Sequence, residues 1–399
     1  MSTTQGNVIY ARNGGEIVKV LFQIRPGYRD SPSGDSVQML MTKTYLEKLG
    51  VDVCISSRQD ISLNEFDLIH IFNTTRLPEA YGFYKNAMNQ KKKIVISPIF
   101  IDMHRYYQNK PARLAAWRAE NLFRREMLQG SHMLLPNSKK EWEWIQNILM
   151  VDTREKIIYH GVDPVFFDAD KDRFVSKFGI ENFILCVGRL SPIKNQLSLI
   201  RAVKDLNIPI VLIGPVNDRR YAIECAEAAD GCVKYIPPMN QRELASAYCA
   251  ARVHAQPSWF ETVGLTSLEA AASGTPVVIT SLGGTREYFE DRAVYVEPDS
   301  LDSIREGILA AMRQQTNIVE KNVEGKNEQS TEDERRSAES EKEGKDFELK
   351  TYIRERFTWE KTARDTLEAY EQVLADDCQP KTKESFYSQT YILPEPDKR

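Results

Sequence analysis

The feature that most constrains the fold is a repeating alternation. Short, unbroken apolar runs rich in β-branched residues are each followed by a stretch with helical spacing. In the first half the runs are EIVKVLFQI (16–24), VDVCISS (51–57), FDLIHIF (66–72), KKIVISPIF (92–100), HMLLPNS (132–138) and KIIYHGV (156–162). A second series comprises FILCVGRL (183–190), IPIVLIG (208–214), VKYIPP (233–238), VHAQPS (253–258), PVVIT (276–280) and AVYVEP (293–298). Runs that are apolar at every position fit parallel strands covered on both faces. Strand and helix in alternation imply an α/β protein with doubly wound sheets.

At 399 residues the chain exceeds one ordinary core. The charged, Phe-rich connector DPVFFDADKDRFVSKFGI separates the two series, so the domain boundary is expected near 163–180. This gives an N-terminal Rossmann-like unit over 1–165, a second over 175–350, and a helical segment with a tail over 351–399. The stretch 315–347 is rich in Glu, Lys, Ser and Asn and nearly free of large apolar residues. Either a disordered surface insertion or a solvated helix fits it. Two doubly wound units in one chain are expected to hold a ligand in a cleft at the carboxyl ends of their sheets.

Several function classes are disfavoured. A net charge of −4 offers no basic excess to neutralise nucleic-acid phosphates. No apolar run approaches the roughly 18–20 residues of a membrane span, and MSTTQGNVIYARNGGE lacks a basic-then-apolar leader. A cytoplasmic protein is the expectation, and the six scattered cysteines read as reduced, mostly buried thiols. No Cys/His quartet has zinc spacing, and no DxD-like cluster accompanies the site strands, so neither metal nor cofactor is expected.

Two segments carry chemistry. In PSWFETVGLTSLEAAASGTPVV (257–278), Glu261 and Glu269 lie eight positions apart. Thr266 and Glu269 fit a capping box, which alone accounts for Glu269 and not for Glu261. The segment follows a strand at its carboxyl end, where α/β proteins build sites, and the amides from Val263 to Ser267 enter a helix. A carboxylate fixed at such a helix start can accept hydrogen bonds from a ribose diol. In ILCVGRLSPIKN (184–195), Ser191-Pro192 reads as a helix start, which puts Lys194 in the first turn, a poor position for a cation without a bound anion. Arg189 and Lys194 together suit a diphosphate.

GRLSPIKN followed by PSWFETVGLTSLEAAASGTPVVITSLGGTREYF resembles the retaining glycosyltransferases of family 4, the glycosyltransferase group 1 enzymes of GT-B fold. Their PNS, HGVDP and F-x-W motifs are matched by Pro136–Ser138, His160–Pro164 and Phe357–Trp359. The resemblance spans roughly residues 16–310 and 350–375. It implies two Rossmann-like domains facing a central cleft, the first for acceptor and the second for a nucleotide-sugar donor. The last helix would cross back to the first domain.

The resemblance also implies roles. Arg189 and Lys194 would bind the diphosphate, Glu269 the ribose hydroxyls, and Glu261 the donor sugar. The backbone of Val263, Gly264, Leu265 and Thr266 would reach sugar and phosphate. Ser33-Gly34-Asp35 corresponds to the loop that approaches the donor phosphate, with Gly34 its single glycine. His104 would contact the donor sugar, with Asp102 as the alternative and a strand-end polar residue as the plain reading. Asn73 and Arg76 would face acceptor or sugar, or are ordinary loop polarity. Gly283 and Gly284 would admit the donor closely, and Glu287 reads as a cap on the helix that follows. The implied activity is transfer of a sugar from a nucleotide diphosphate sugar to a hydroxyl of a glycan, lipid-linked or small-molecule acceptor. Retention of configuration and independence of metal are implied with it. A GT-B epimerase or a noncatalytic scaffold remains an alternative, whereas a dinucleotide oxidoreductase would need a GxGxxG motif that is missing. The basic amphipathic helix PARLAAWRAENLFRREM (111–127) leaves peripheral membrane contact open, with its apolar face read as core.

Overall fold

The computed structural model describes residues 12–13, 16–30, 33–324 and 346–376. The described residues form two compact units, one within 1–136, 143–157 and 364–399, the other within 137–142 and 158–363.

In the first unit, strands β1 (Lys19–Gln23), β2 (Asp52–Ser56), β3 (Leu68–Phe72), β4 (Lys93–Ser97) and β5 (Met133–Leu134) form one sheet in the order β2-β1-β3-β4-β5. Every pairing is parallel. β3 is buried at all five positions, which explains why it reads as a continuous apolar run despite His70. That ring is satisfied at both nitrogens, Nδ1 by the Tyr370 hydroxyl at 2.6 Å and Nε2 by the Ser97 hydroxyl at 2.9 Å.

In the second unit, β6 (Phe183–Val187), β7 (Ile210–Ile213), β8 (Val233–Ile236), β9 (Ala251–Gln256), β10 (Val277–Thr280) and β11 (Val294–Val296) are ordered β8-β7-β6-β9-β10-β11. All are parallel. Alternation along β6 shows why the run is uniformly apolar. Phe183, Leu185 and Val187 pack into a cluster with Tyr248, Leu268 and Tyr288, while Ile184 and Cys186 pack into another with Leu199, Ile200 and Ile308. Each such side chain stabilises the fold by roughly 1.5–3 kcal/mol through removal from water.

The structure differs from two expectations and decides part of a third. Residues 156–162 form no strand. Leu134 bridges to Glu155 and Val162 to Thr358, and the chain between them carries the passage from the first unit to the second. There the HGVDP and F-x-W motifs hold each other. The Val162 amide donates to the Phe357 carbonyl, His160 stacks on Trp359, and a Cβ on Gly161 would sit 2.1 Å from the Trp359 nitrogen. Second, the helix beginning at Leu301 runs to Glu324, into the charged stretch, and the remainder of 315–347 up to 345 lies outside the described residues. Helices Asp346–Arg356 and Trp359–Ala375 follow, and the rest of the expected tail, with Cys378, also lies outside. Third, helix Pro111–Gln129 buries Trp117 but leaves Leu122 at 70% and Phe123 at 49% exposure, so its apolar face is not all core.

His70, His160 and His254 are almost wholly buried. Burial pushes each ring down, to about 3. The unfolded chain takes up protons near 6.5 that the folded chain refuses, so the stability these rings contribute is present above pH 6.5 and is lost as pH falls toward 3. Each ring should cost on the order of 2 kcal/mol between pH 7 and 5. Urea midpoints measured over that range should fall steeply, and His160→Phe, at a ring whose nitrogens have no hydrogen-bond partner, should flatten the slope by one proton.

Candidate functional site

At the carboxyl end of β6, Gly188 at φ 154 and Gly214 at φ 148, just past β7, pack against each other. A Cβ on Gly214 would lie 2.2 Å from the Gly188 carbonyl oxygen. The chain then makes a turn closed by the Lys194 amide on the Ser191 carbonyl at 3.0 Å. The helix starts only at Gln196, after Asn195 at φ 61, which corrects the expected start at Ser191. Asparagine tolerates the left-handed region better than most side chains. Its amide also donates to the carbonyls of Pro257 at 3.0 Å and Pro298 at 2.7 Å. Asn195 therefore fastens this turn to the loop leaving β9, helped by the Trp259 amide on the Ile193 carbonyl at 2.9 Å. Lys194 lies in the turn before the helix, so the misplaced-cation reading gives way to a different fact: it has a partner.

That partner is Glu261. Lys194 Nζ lies 2.5 Å from Glu261 Oε1, with the side chains 20% and 11% exposed. Ser258 Oγ donates to the same oxygen at 2.7 Å, and Gln256 Nε2 donates to Ser258 Oγ at 2.7 Å. The Glu261 backbone is clamped as well. Its amide donates to the Leu282 carbonyl, its carbonyl accepts from Gly284, and Glu261 bridges to Gly283. A Cβ on Gly283, at φ 121, would sit 1.9 Å from the Glu261 carbonyl oxygen. One on Gly284 would sit 2.3 Å from the Thr262 carbonyl oxygen. Both glycines thus admit the Glu261–Thr262 backbone. Arg189 is exposed and its side chain makes no hydrogen bond or ion pair among the described residues.

The capping-box reading of Glu269 is also overturned. Helix Leu265–Ala272 is preceded by Gly264 at φ 81, with no side-chain cap, so Thr266 lies inside the helix and Glu269 one turn in. Gly264 is needed there twice, for its φ and because a Cβ would meet Ile279 at 2.8 Å. Val263 is buried, and Leu265 and Thr266 are half-buried at the start of the helix. The Tyr248 hydroxyl donates to Glu269 Oε2 at 3.1 Å. Protein crowds the Glu269 carboxyl on most sides while part of the residue stays accessible. Burial pushes its pKa up to about 8, against the Tyr248 hydrogen bond, and Asp163 adds to the rise.

Glu287 does cap a helix, though not its own. Its carboxylate accepts from the amides of Lys139 and Lys140, both at 2.8 Å, and from the Tyr159 hydroxyl at 2.9 Å. Ser138 caps the same helix, Lys139–Leu149, by accepting from the Glu141 amide at 3.0 Å.

In the first unit, Gly34 opens helix Gly34–Lys48 beside a buried cluster. Asp35 pairs with Arg25 at 2.9 Å and accepts from Asn73 Nδ2 at 2.8 Å. Burial opposes ionisation there, but hydrogen bonds from Arg25, Ser33 and Asn73 hold the Asp35 carboxyl down at about 2. Arg76 is exposed at the N-cap of helix Leu77–Asn89. Past β4, Asp102 accepts from the His104 amide at 2.9 Å and from its Nδ1 at 2.7 Å, while the ring meets Trp117 edge-on. The structure therefore brings Asn73 to the Gly34–Asp35 turn and pairs Asp102 with His104. It brings Arg189, Lys194 and Glu261 to the adjacent carboxyl ends of β6 and β9, with Glu269 on the helix that follows. Sequence reasoning missed Asn195, Gln256, Ser258 and Tyr248. Only Asn195, a left-handed-tolerant residue directly after Lys194, carried a readable signal.

Residues 168–329 match the model of the family described as glycosyl transferases group 1. A D-inositol 3-phosphate glycosyltransferase of Mycobacteroides abscessus is 32% identical over 172 residues, 40% of this chain and 39% of that protein. An uncharacterized glycosyltransferase of Methanocaldococcus jannaschii is 34% identical over 173 residues, 39% of this chain and 44% of that protein. The chain thus spans about two fifths of the length of the curated relatives it matches. Among solved structures, sucrose-phosphate synthase of Thermosynechococcus elongatus superposes with a TM-score of 0.72 at 15% identity, over 90% of this chain and 99% of that one. Anabaena HepE in complex with UDP and glucose gives 0.66 at 17%, over 89% and 100%. These likenesses establish the fold, GT-B.

Gly283→Ala should destabilise the second unit by roughly 2–4 kcal/mol, because both the φ and the carbonyl contact exclude a methyl group. A fall in melting temperature checks this.

Proposed function

We propose, from the match of residues 168–329 to the glycosyl transferases group 1 model, that the chain is a retaining glycosyltransferase. It moves a sugar from a nucleotide diphosphate sugar to an acceptor hydroxyl. The observation that carries the reading is the Lys194–Glu261 pair at the carboxyl end of the second sheet, with exposed Arg189 beside it and Glu269 one turn into the next helix. A buried cation held at such a place binds a diphosphate once the anion replaces the carboxylate.

In this reading Arg189, Lys194 and the N-terminus of helix Leu265–Ala272 stabilise the negative charge that develops on the leaving diphosphate. The chain's own charges do this without a metal. Glu269 accepts hydrogen bonds from the ribose hydroxyls, and Glu261 faces the donor sugar. The bond from the anomeric carbon to the phosphate oxygen breaks as the acceptor oxygen bonds the same face, and the acceptor's proton passes to the departing phosphate. His104, oriented by Asp102, is assigned to the sugar, and Asn73 and Arg76 to sugar or acceptor. The Gly34 turn is assigned to the donor phosphate. Exposed Leu122 and Phe123 on a helix bearing exposed Arg113 and Arg118 suit a lipid-linked acceptor and peripheral attachment at a cytoplasmic membrane face.

Incubation with UDP-, GDP-, ADP- and dTDP-sugars without acceptor should release one diphosphate slowly. Glu269→Ala and Lys194→Ala should each lose that release at least tenfold, and EDTA should leave it unchanged. If no donor is hydrolysed and none raises the melting temperature, the scaffold reading takes its place. Glu269 supplies a second check. A diol that donates to its carboxylate favours the ionised form, so binding to a chain whose Glu269 titrates at about 8 releases a proton. Affinity should rise with pH up to about 8 and level off above it. Calorimetry in buffers of different ionisation enthalpy should count that proton, and Glu269→Gln should abolish it.

A further inference from the structure

The two oxygens of Glu261 are used differently. Oε1 receives both Lys194 Nζ at 2.5 Å and Ser258 Oγ at 2.7 Å, and Ser258 is itself held by Gln256 at 2.7 Å. Oε2 makes no hydrogen bond among the described residues. The carboxylate therefore occupies the place on Lys194 that a phosphate oxygen would take. Ser258, fully buried, retains its hold on Oε1 when the lysine turns to a ligand, so the negative charge stays beside the bound phosphate. A fixed negative charge repels a bound anion in proportion to the anion's own charge.

A nucleoside diphosphate and its glycosyl ester differ in that property. The free terminal phosphate loses a second proton near pH 6 and so carries about one more negative charge than the ester at neutral pH. The ester instead brings sugar hydroxyls, which can donate to Oε2. Resting on the donor-site reading above, we propose that Glu261 discriminates between the intact nucleotide sugar and the bare diphosphate. It neutralises Lys194 in the empty site, accepts a sugar hydroxyl on Oε2 in the donor complex, and disfavours the diphosphate that remains after transfer. Product release is thereby built into the same carboxylate that faces the sugar, with Ser258 as its positioning residue.

The test is calorimetry on the full chain with UDP, GDP, ADP and dTDP, with inorganic pyrophosphate as a base-free probe, and with the matching nucleotide sugars. Glu261→Gln should bind the preferred diphosphate about tenfold tighter than wild type and pyrophosphate tighter as well, while its affinity for the nucleotide sugar does not rise. Glu261→Ala, which has no amide to misplace, should move diphosphate affinity the same way, and melting curves show whether each variant is folded. The wild-type chain alone provides an arm that needs no variant. It should bind the terminal-phosphate methyl ester of the preferred diphosphate more tightly than the diphosphate itself. Wild-type binding of a diphosphate with no tightening in either folded variant, or an ester that binds more weakly, overturns this inference and leaves the donor site standing. No binding of any diphosphate, sugar nucleotide or pyrophosphate by any form removes the donor site and the inference with it.

Discussion

A lysine ammonium and a glutamate carboxylate 2.5 Å apart tie together the loops that leave two adjacent strands of the second sheet, β6 and β9. The pair is largely shielded from water, and isolated charges in such a setting are costly unless partnered. Much of the local backbone exists to make the partnership exact in geometry. Asn195 turns the chain before the helix so that Lys194 points at the neighbouring loop, and the Gly283–Gly284 backbone presses on Glu261–Thr262 so closely that side chains are excluded. A pair built this firmly is a charge distribution whose geometry the fold sets in advance.

Beneath the pair runs a buried polar ladder. His254, Gln256 and Ser258 lie at alternate positions along and just beyond β9, all at 0% exposure, in a sheet otherwise packed with aliphatic and aromatic side chains. Each finds a partner. His254 Nε2 meets the Ser267 hydroxyl at 3.1 Å while its Nδ1 has no partner, and Gln256 and Ser258 form a separate chain to Glu261. Polar groups in a low-dielectric core are stabilising only when satisfied, and then they specify one arrangement. The ladder holds the carboxylate to a single position from the core side, while its second oxygen stays available on the other.

The first unit handles its charges differently. Arg25, Asp35 and Asn73 close on one another, and the Asp35 carboxyl is held at about 2 by those bonds. Glu269 in the second unit is held at about 8 by crowding, with one tyrosine as its hydrogen-bond partner. The closed cluster secures a turn. The crowded carboxyl, with its one tyrosine partner, instead favours the neutral form.

The alternation of apolar runs was enough to give both parallel sheets and nearly every strand, because burial on both faces demands apolar residues at odd and even positions alike. Residues 156–162 escaped that logic. Val162 and Tyr159 pack into the core of the second unit, and the segment pairs only through single bridges at Glu155 and Val162. Local pattern also named Lys194, Glu261 and Glu269, yet it gave the wrong reason for two of them. The capping box at Thr266 and the helix start at Ser191 are locally sound, and each lost to a residue in the left-handed region, Gly264 and Asn195, whose conformations answer to contacts with Ile279, Pro257 and Pro298. Which side chain Lys194 meets, which oxygen Ser258 holds, and that Tyr248 reaches Glu269 depend on residues 67, 3 and 21 positions apart. Sequence by itself determined the layers and the chemical types at the site. Only the tertiary structure decided the pairings, because hydrogen bonds and ion pairs depend on distances that strand order and loop packing set, and no local periodicity encodes them.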